Sequence, residues 1–495
     1  MTPGVSSGGP TPLELEPAEL RAMVRDVLDR LLPWLERTAD PEAPMGSPVG
    51  GQRLAVELRR AWPEDGTPWR SVLHDLERAR AAALDTTSGG YLAYVPGGGL
   101  PQAAVADLYA DLANRFTGLW MCAPALVALE VDAVRWLGQM VGLGDDVGGV
   151  FTSGGSVANL GGIVAARHRH LGDADPRLAR VYRSAQAHHS VDKAARIAGL
   201  QGGLVDVPVD AAFRLRPDAL DAAIRADRAE GRIPVAVVAS AGTTAVGAVD
   251  DLQAIAQVCR THGVWLHVDA AYGGFFALTD AGRARLRGIE HADSVVLDPH
   301  KGLFLPYGTG CLLARDRAAL REAHAVPSAY LPASDDDPLA WDLADLGPEL
   351  SRPFRGLRVW LPLVLHGFGT FRDTLDEKLT LARRAADGVR ALPHVRMVSE
   401  PTLSLFAFRL EPPGLDPAAT DALNHRWLAA TNRRRRVFLS GARVWDPAVG
   451  REVFALRVCV LSYRTHDAHV DHLLADLAAA MPQPGPLAAE EGGTP

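Results

Sequence analysis

The first third of the chain carries apolar side chains at the spacing of amphipathic helices. Between residues 14 and 38 the apolar positions recur every three or four residues: Leu20, Met23, Val24, Val27, Leu28 and Leu31. The same pattern returns over 101–116 and 126–143. We therefore expect a helical N-terminal segment over residues 1–100, followed by a large domain that begins with further helices.

From about residue 148 the hydrophobic pattern changes, because short apolar runs now alternate with helical stretches. The runs are GGVFTS, RVYRSA, GLVDVPVD, PVAVVASA, VWLHVDAA, SVVLDPH and GCLLAR. Strands that alternate with helices are typical of an α/β fold whose sheet is mostly parallel. The pattern thus predicts a seven-stranded, mostly parallel sheet within a large domain over residues 101–362.

The last third of the chain predicts a smaller α+β domain over residues 363–481. It follows a polar loop near 333–352 and contains helical stretches together with the strand-like runs LSLFAFRL and FALRVCVLS. Residues 1–12 and 482–495 are rich in Gly, Pro and Ser or in small residues. Such composition favours mobile tails, and 482–495 is predicted to be disordered.

Composition and charge narrow the classes of function. The chain has 495 residues and a formal net charge of -8, which argues against binding to nucleic-acid phosphates. The four cysteines form no CxxC pair, so the sequence predicts neither a disulfide framework nor a metal site, and a reducing cytoplasm suits them. We find no run of eighteen apolar residues and no signal pattern, and therefore expect a cytoplasmic protein without membrane contact.

A glycine-rich turn follows the first predicted strand in the sequence TSGGSVANL. Gly154 and Gly155 allow a ligand to approach the backbone, and Ser156 and the N–H groups that open the next helix suit a phosphate. Many strand-to-helix turns are glycine-rich, so the signal is weak alone. The turn matches neither GxGxxG nor GxxxxGK[ST], which weighs against dinucleotide and ATP sites.

Two charged residues end neighbouring apolar strands. Asp269 in LHVDAAYGG is either a helix cap or a carboxylate that keeps a cationic ring nitrogen protonated, with Ala271 leaving room for a flat ring. Lys301 in VVLDPHKGLFLPYGTG is either a surface lysine or an amine kept partly away from water. A phosphate turn, a strand-end Asp and such a Lys together meet the needs of pyridoxal 5'-phosphate, which we predict as the cofactor.

At these residues the sequence resembles the group II pyridoxal-phosphate-dependent amino-acid decarboxylases, the family of aromatic-L-amino-acid decarboxylase. The resemblance runs from YLAYVPGGG at residue 91 to LRVCVLSYRTHDAHV at residue 470. It implies a fold type I enzyme in which Lys301 forms the Schiff base with the cofactor. It also implies that His188 in AQAHHSVDKA stacks on the cofactor and faces the substrate carboxylate.

The resemblance implies further contacts to the cofactor. Asp269 would pair with the ring nitrogen, and the other expected cofactor residues are Gly155, Ser156, Thr244, Ala271, Asp298 and His300. Asp298 stands where the family commonly has asparagine, and a carboxylate beside a phosphate is electrostatically unfavourable. We therefore expect the side chain of Asp298 to bond to backbone instead.

Tyr330 in AVPSAYLPASDDD lies twenty-nine positions after Lys301, where the family keeps a catalytic tyrosine. The resemblance implies that Tyr330 or His188 protonates the carbanion left by carbon dioxide, which gives an amine. Relatives with phenylalanine there tend to form aldehydes by reaction with oxygen. The alternative for Tyr330 is a loop tyrosine that packs on the surface.

The resemblance implies decarboxylation of an aromatic, bulky or modified L-amino acid to its amine. Gly97 and Gly118 stand where larger groups are expected, which suggests a wide substrate pocket. Oxidative formation of an aldehyde, an aminotransferase or carbon–sulfur lyase, and a non-catalytic scaffold remain alternatives. The resemblance also implies a homodimer with shared active sites, and the high Ala, Arg and Gly content is compatible with specialised metabolism in a GC-rich bacterium.

Overall fold

A seven-stranded sheet forms the centre of the computed structural model, which describes residues 13–326 and 340–482. Its strands are β1 (Gly148–Thr152), β2 (Ala179–Ser184), β3 (Leu204–Val207), β4 (Ile233–Ser240), β5 (Trp265–Asp269), β6 (Ser294–Leu297) and β7 (Gly310–Ala314). Their order is β1-β7-β6-β5-β4-β2-β3, and β7 alone runs against its neighbours. The predicted α/β fold with a mostly parallel sheet is therefore confirmed.

Helices precede the sheet, connect its strands and follow it. Within the described part of the chain they are α1 (Pro17–Thr38), α2 (Gly51–Glu57), α3 (Trp69–Ala81), α4 (Pro101–Ala113), α5 (Pro124–Met140), α6 (Gly155–Leu171), α7 (Ser190–Ile197), α8 (Pro217–Ala229), α9 (Leu252–His262), α10 (Asp280–Arg285), α11 (Pro299–Gly302), α12 (Arg317–His324), α13 (Arg355–Arg390), α14 (Pro417–Arg433) and α15 (Asp467–Ala479). The helical N-terminal segment predicted from the apolar pattern is present as α1–α3.

The central strands are buried almost throughout, which explains their continuous apolar runs. In β4 seven of eight residues are buried, and every residue of β6 and β7 is buried. Helix α6 packs along β1, β4, β5, β6 and β7. Because β1, β4, β5 and β6 run in one direction, their carboxyl ends meet at one edge of the sheet, where ligands bind in open α/β sheets.

A separate antiparallel sheet follows the large one and confirms the predicted small α+β part. Its strands are β8 (Val395–Ser399), β9 (Leu405–Leu410), β10 (Ser440–Asp446) and β11 (Arg451–Cys459), in the order β10-β11-β9-β8. Helix α14 packs on β9, β10 and β11, and α15 packs on α13 and α14. The boundary predicted between residues 362 and 363 falls within α13, and the division into domains stays a prediction.

Helix α13 connects the two sheets and bends once. Gly367 has φ 70° and ψ 155°, which are not helical values and which glycine adopts more easily than other residues. Before the bend, Arg358 pairs with Asp107 of α4, and after it Arg384 pairs with Asp467 and Asp471 of α15. Phe371, Leu375 and Leu379 follow the bend but still pack in the core of the large sheet, and α13 enters the core of the small sheet only from Leu381 onward.

Neither membrane-spanning nor metal-binding features occur in residues 13–326 and 340–482. No helix there is both long and apolar enough to cross a bilayer, and no group of three or more His, Cys, Asp or Glu side chains is arranged to hold a metal ion. All four cysteines are free thiols.

Candidate active site

A cavity of about 300 Å³ opens at the edge where the parallel strands end. The structure brings nine of the ten predicted site residues together in its lining: Gly155, Ser156, His188, Thr244, Asp269, Ala271, Asp298, His300 and Lys301. The tenth, Tyr330, lies outside the described residues. The cavity therefore joins positions that are up to 146 residues apart in sequence, from Gly155 to Lys301.

Lys301 lies in α11, directly after the buried strand β6. Its Nζ is 2.8 Å from Oδ2 of Asp298, and its side chain is 22% exposed. Leu297 and Leu303, on either side of it in sequence, are fully buried. These contacts fit an amine held inside the cavity and not a free surface lysine.

The contacts of the Asp298 side chain contradict one expectation from the sequence. Its side chain pairs with Lys301 and not with backbone, and among the described residues its buried Oδ1 has no hydrogen-bond partner. A Cβ atom added to Gly155 would lie 3.0 Å from Oδ2, so the carboxylate faces the glycine turn. A buried carboxylate oxygen that lacks a hydrogen-bond partner costs free energy. Such unpaired oxygens are found at sites that bind a ligand.

His300 is fixed beside this ion pair by its neighbours. Its Nδ1 is 2.6 Å from the carbonyl oxygen of Thr309, and because that oxygen only accepts, Nδ1 carries the hydrogen. Its Nε2 is 3.7 Å from Oδ2 of Asp298. Burial lowers the pKa of His300, so the imidazole is neutral near pH 7.

Asp269 ends β5 and is held from two sides. Its Oδ2 accepts a hydrogen bond of 3.0 Å from Nδ2 of Asn159, and its Oδ1 accepts one of 3.2 Å from the backbone N–H of Ala271. Asn159 belongs to α6 and comes from the predicted phosphate turn, but sequence reasoning did not assign it a role. The anchored carboxylate faces the cavity, as a partner for a cationic ring nitrogen requires.

His188 precedes α7, and Ser190 orients its ring. The Nδ1 atom is 2.7 Å from Oγ of Ser190 and 3.2 Å from its backbone nitrogen. Burial lowers the pKa of His188, although the charge of Asp269 opposes this shift. Ser190 is a second residue that sequence reasoning missed, and its position two residues after His188 was the only available signal.

The small antiparallel sheet is connected to the site through Arg457, which lies behind the cavity lining. This buried side chain of β11 donates hydrogen bonds to Oγ of Ser440, at 2.9 Å, and to the carbonyl oxygen of Thr244, which lies in the turn after β4. The predicted cavity residue Thr244 is thereby tied to the second sheet. The sequence alone gave no indication of this connection.

Gly97 and Gly118 do not widen the site as the sequence suggested. A Cβ atom at Gly97 would lie 2.9 Å from the carbonyl oxygen of His300, and one at Gly118 would lie 2.7 Å from the ring of Phe116. Both glycines are therefore needed for close packing, and neither lines the cavity.

The cavity fits pyridoxal 5'-phosphate in its chemistry. Helix α6 begins at the glycine turn, and the unpaired N–H groups of a first helical turn bind phosphate. Lys301 supplies an amine, and Asp269 supplies an anchored carboxylate for the ring nitrogen. Ala271 and His188 offer a small side chain and a flat ring on the lining.

Comparison with known proteins is consistent with this chemistry. Residues 52–411 match the model of the pyridoxal-dependent decarboxylase conserved domain. Aromatic-L-amino-acid decarboxylase of Bacillus atrophaeus is 32% identical over 92% of this chain and 93% of that protein. L-2,4-diaminobutyrate decarboxylase of Acinetobacter baumannii is 31% identical over 76% of this chain and 77% of that protein. The crystal structure of Oryza sativa TDC with PLP and tryptamine superimposes with a TM-score of 0.86, at 26% identity, over 96% of this chain and 100% of that chain.

Proposed function

The chain belongs to the family of pyridoxal-dependent decarboxylases, and we propose that the cavity at the edge of the large sheet is its active site. The protein is a pyridoxal-phosphate-dependent carboxy-lyase that acts on an amino acid. The observation that carries the assignment of the site is the meeting of Lys301, Asp269 and His188 in one cavity. Each of these residues was predicted from a separate sequence motif.

The residues that line the cavity would each hold a different part of the cofactor. Lys301 would hold it covalently, Asp269 would face the ring nitrogen, and His188 and Ala271 would lie against the ring. Gly155 and Ser156 would hold the phosphate at the start of α6. When bound, pyridoxal phosphate supplies a cationic ring that withdraws electrons from the bond to the departing carboxyl group.

The protein's own groups then control the proton that replaces the carboxyl group. Asp269 remains a hydrogen-bond acceptor because Asn159 and the N–H of Ala271 both donate to it. His188 is a neutral imidazole beside the cavity, because burial lowers its pKa. We assign delivery of the proton to Tyr330 or His188, and with a phenol at position 330 the expected product is the amine.

The proposed substrate is an aromatic or otherwise bulky L-amino acid. The similarity to an enzyme named for aromatic L-amino acids supports this class, while the similarity to a diaminobutyrate decarboxylase shows that other side chains occur among the relatives. The experiment is to supply the purified protein and pyridoxal phosphate with a panel of L-amino acids under air. Mass spectrometry follows amines and aldehydes, and an oxygen electrode follows oxygen.

The outcomes separate the candidate functions. Amine without oxygen uptake supports the proposal and identifies the substrate class. Aldehyde with equivalent oxygen uptake replaces it with decarboxylation-dependent oxidative deamination, the alternative function. Binding of pyridoxal phosphate without turnover of any amino acid in the panel would favour a non-catalytic scaffold, against which the presence of Lys301, Asp269 and His188 argues.

We also propose that the protein forms a homodimer. Helix α4 exposes a row of apolar side chains at helical spacing, and α1 exposes two more: Val105, Leu108, Tyr109, Leu112, Leu28 and Leu32. A second copy of the chain would cover these faces. Light scattering coupled to gel filtration would give about twice the chain mass of 52.8 kDa, and the monomer mass would refute the proposal.

A further inference from the structure

Asn159 lies at the centre of a buried hydrogen-bond network behind the cavity. Its Nδ2 donates to Oδ2 of Asp269 at 3.0 Å and to Oγ of Ser190 at 2.9 Å. Its Oδ1 is 2.8 Å from Nε2 of His267. Asn159 is 1% exposed and His267 is fully buried, so solvent does not compete for these bonds.

The direction of each hydrogen bond in the network follows from the chemistry of the groups. A carboxylate only accepts, so the amide nitrogen of Asn159 must face Asp269 and its oxygen must face His267. Nε2 of His267 therefore carries the hydrogen. Its Nδ1 then accepts from Oγ of Ser294 at 2.7 Å, and Nε1 of Trp265 donates to the same oxygen at 2.8 Å. Burial lowers the pKa of His267 to about 4, which agrees with a neutral ring.

The same reasoning determines which nitrogen of His188 is protonated. The backbone N–H of Ser190 donates to Nδ1 of His188, so Nδ1 has no hydrogen of its own. Oγ of Ser190 accepts from Asn159 and gives its own hydrogen to Nδ1. The hydrogen of the neutral imidazole is then on Nε2, which is the nitrogen left for a ligand in the cavity.

The fold makes room for this network at the contact between α6 and β5. His267 and Asp269 are two positions apart on a strand and lie on the same face, and Asn159 and Gly162 are three positions apart on a helix and share a face. A Cβ atom at Gly162 would collide with the imidazole of His267. The absent side chain at Gly162 thus lets the imidazole reach Asn159.

We propose that Asn159 is a positioning residue that orients the carboxylate of Asp269 and the hydroxyl of Ser190 that bonds to Nδ1 of His188, with His267 as its buried support. This inference rests on the proposed function, in which Asp269 and His188 contact the cofactor. Loss of the amide would leave Asp269 without its side-chain donor and free the hydroxyl of Ser190 to turn. Both changes would weaken the hold on the cofactor before any substrate is present.

The test measures cofactor binding without substrate. The apo protein is titrated with pyridoxal phosphate, and the dissociation constant and the visible absorption band of the bound cofactor are recorded. We expect N159L to bind pyridoxal phosphate about tenfold to a hundredfold more weakly, because it loses a hydrogen bond to a charged group. We also expect the visible absorption band of the bound cofactor to shift. H267L should change both in the same direction. H267Q, which still presents an N–H donor, should remain within about threefold of the natural protein.

Two further variants separate positioning from general destabilisation. Asn424 is also a fully buried asparagine, but it bonds to the backbone of Leu410 and Thr420 in the small sheet region. N424L should lower thermal stability and leave the affinity and the band unchanged. N159D keeps the shape of the side chain but sets an acceptor against Asp269, so it should weaken binding even if N159L fails to fold.

Each outcome of these binding measurements either supports or overturns the inference about Asn159. Natural affinity and an unshifted band in N159D, or in a folded N159L, would overturn it, and so would an equal loss of affinity in N424L. If the natural protein binds the cofactor and forms product while the Asn159 variants bind it as well, the inference fails and the proposed function stands. If the natural protein binds no pyridoxal phosphate, both fail.

Discussion

Nζ of Lys301 and Oδ2 of Asp298 lie 2.8 Å apart inside the cavity, three positions apart in sequence. Asp298 is almost fully buried, and its other carboxylate oxygen has no partner among the described residues. The ammonium group that would hold the cofactor therefore has a carboxylate as its counter-ion when the cofactor is absent. Covalent attachment of pyridoxal phosphate at Lys301 would compete with this ion pair.

Replacing Asp298 with asparagine should strengthen cofactor binding. The substitution removes a negative charge that faces the predicted phosphate turn, and it removes the counter-ion that stabilises the empty site. We expect D298N to bind pyridoxal phosphate about tenfold more tightly, measured by titration of the apo protein. The control is D251N at the exposed N-cap of α9, where asparagine caps equally well. Weaker binding by D298N would show instead that Asp298 is needed to orient Lys301.

Lys301 should be the only lysine that carries the cofactor. The chain has two other lysines, Lys193 and Lys378. Lys193 is exposed on α7, and Nζ of Lys378 is buried and donates to the carbonyl oxygen of Thr465 at 2.5 Å. Reduction of the loaded enzyme with borohydride, followed by peptide mapping, should place the cofactor mass on Lys301.

The matched variants for this test are K301A and K193A. K301A should lose both the label and product formation, whereas K193A should keep both. A label on Lys193 or Lys378 in the natural protein, or full activity of K301A, would contradict the assignment.

We expect Tyr330 to determine whether the enzyme forms an amine or an aldehyde. In Y330F the phenolic proton is absent, so we expect amine formation to fall by about a hundredfold or more, with aldehyde and oxygen uptake appearing in its place. Mass spectrometry and an oxygen electrode measure the two products on the substrate found by the amino-acid panel. Tyr307, which is exposed, provides the control variant Y307F with the natural product ratio. Unchanged amine formation in Y330F would assign the proton to His188.

Acid should destabilise the fold through His267. Its pKa is about 4 in the folded protein and about 6.5 when unfolded, so between these values the unfolded chain binds a proton that the folded chain does not. The free energy of unfolding should therefore decrease as pH falls from 6.5 to 4, by up to about 3 kcal/mol from this group. In H267Q this contribution is absent, so its thermal midpoint should fall less over that range.

The control for the acid experiment is H366Q, since His366 is exposed on α13. It should show the same pH dependence as the natural protein. Parallel pH curves for the natural protein and H267Q would show that His267 does not account for the acid sensitivity.

The sequence revealed the residues that face the cavity better than those that hold them. Asp269, Lys301 and His188 were predictable because each stands near a motif and because the ends of parallel strands collect at one edge. Asn159 and His267 were not, because their mutual contact joins positions 108 apart and the contact of Asn159 with Asp269 joins positions 110 apart. A buried asparagine carries no pattern in sequence that distinguishes it from a helix residue facing solvent.

The strands of the two sheets also differ in how well the sequence predicted them. Short apolar runs identified the seven strands of the large sheet, and those at β4, β6 and β7 are buried almost throughout because both faces of the sheet are covered there. Strands β8 and β10 of the small sheet were not singled out, because they are partly exposed and their pattern is broken by polar residues. Such strands are specified by pairing with β9 and β11, which a local pattern does not show.

The bend in α13 redirects the helix within the region that packs on the large sheet. The part before Gly367 is attached to the large sheet region, where Arg358 pairs with Asp107 and the N–H of Gly356 donates to Glu130. The part after it is attached to α15 through Arg384. Phe371, Leu375 and Leu379 follow Gly367 and still pack in the same apolar core as Val359 and Leu363. The core of the small sheet begins in α13 only at Leu381, so a rotation at Gly367 would shear the large core and would not turn one sheet against the other.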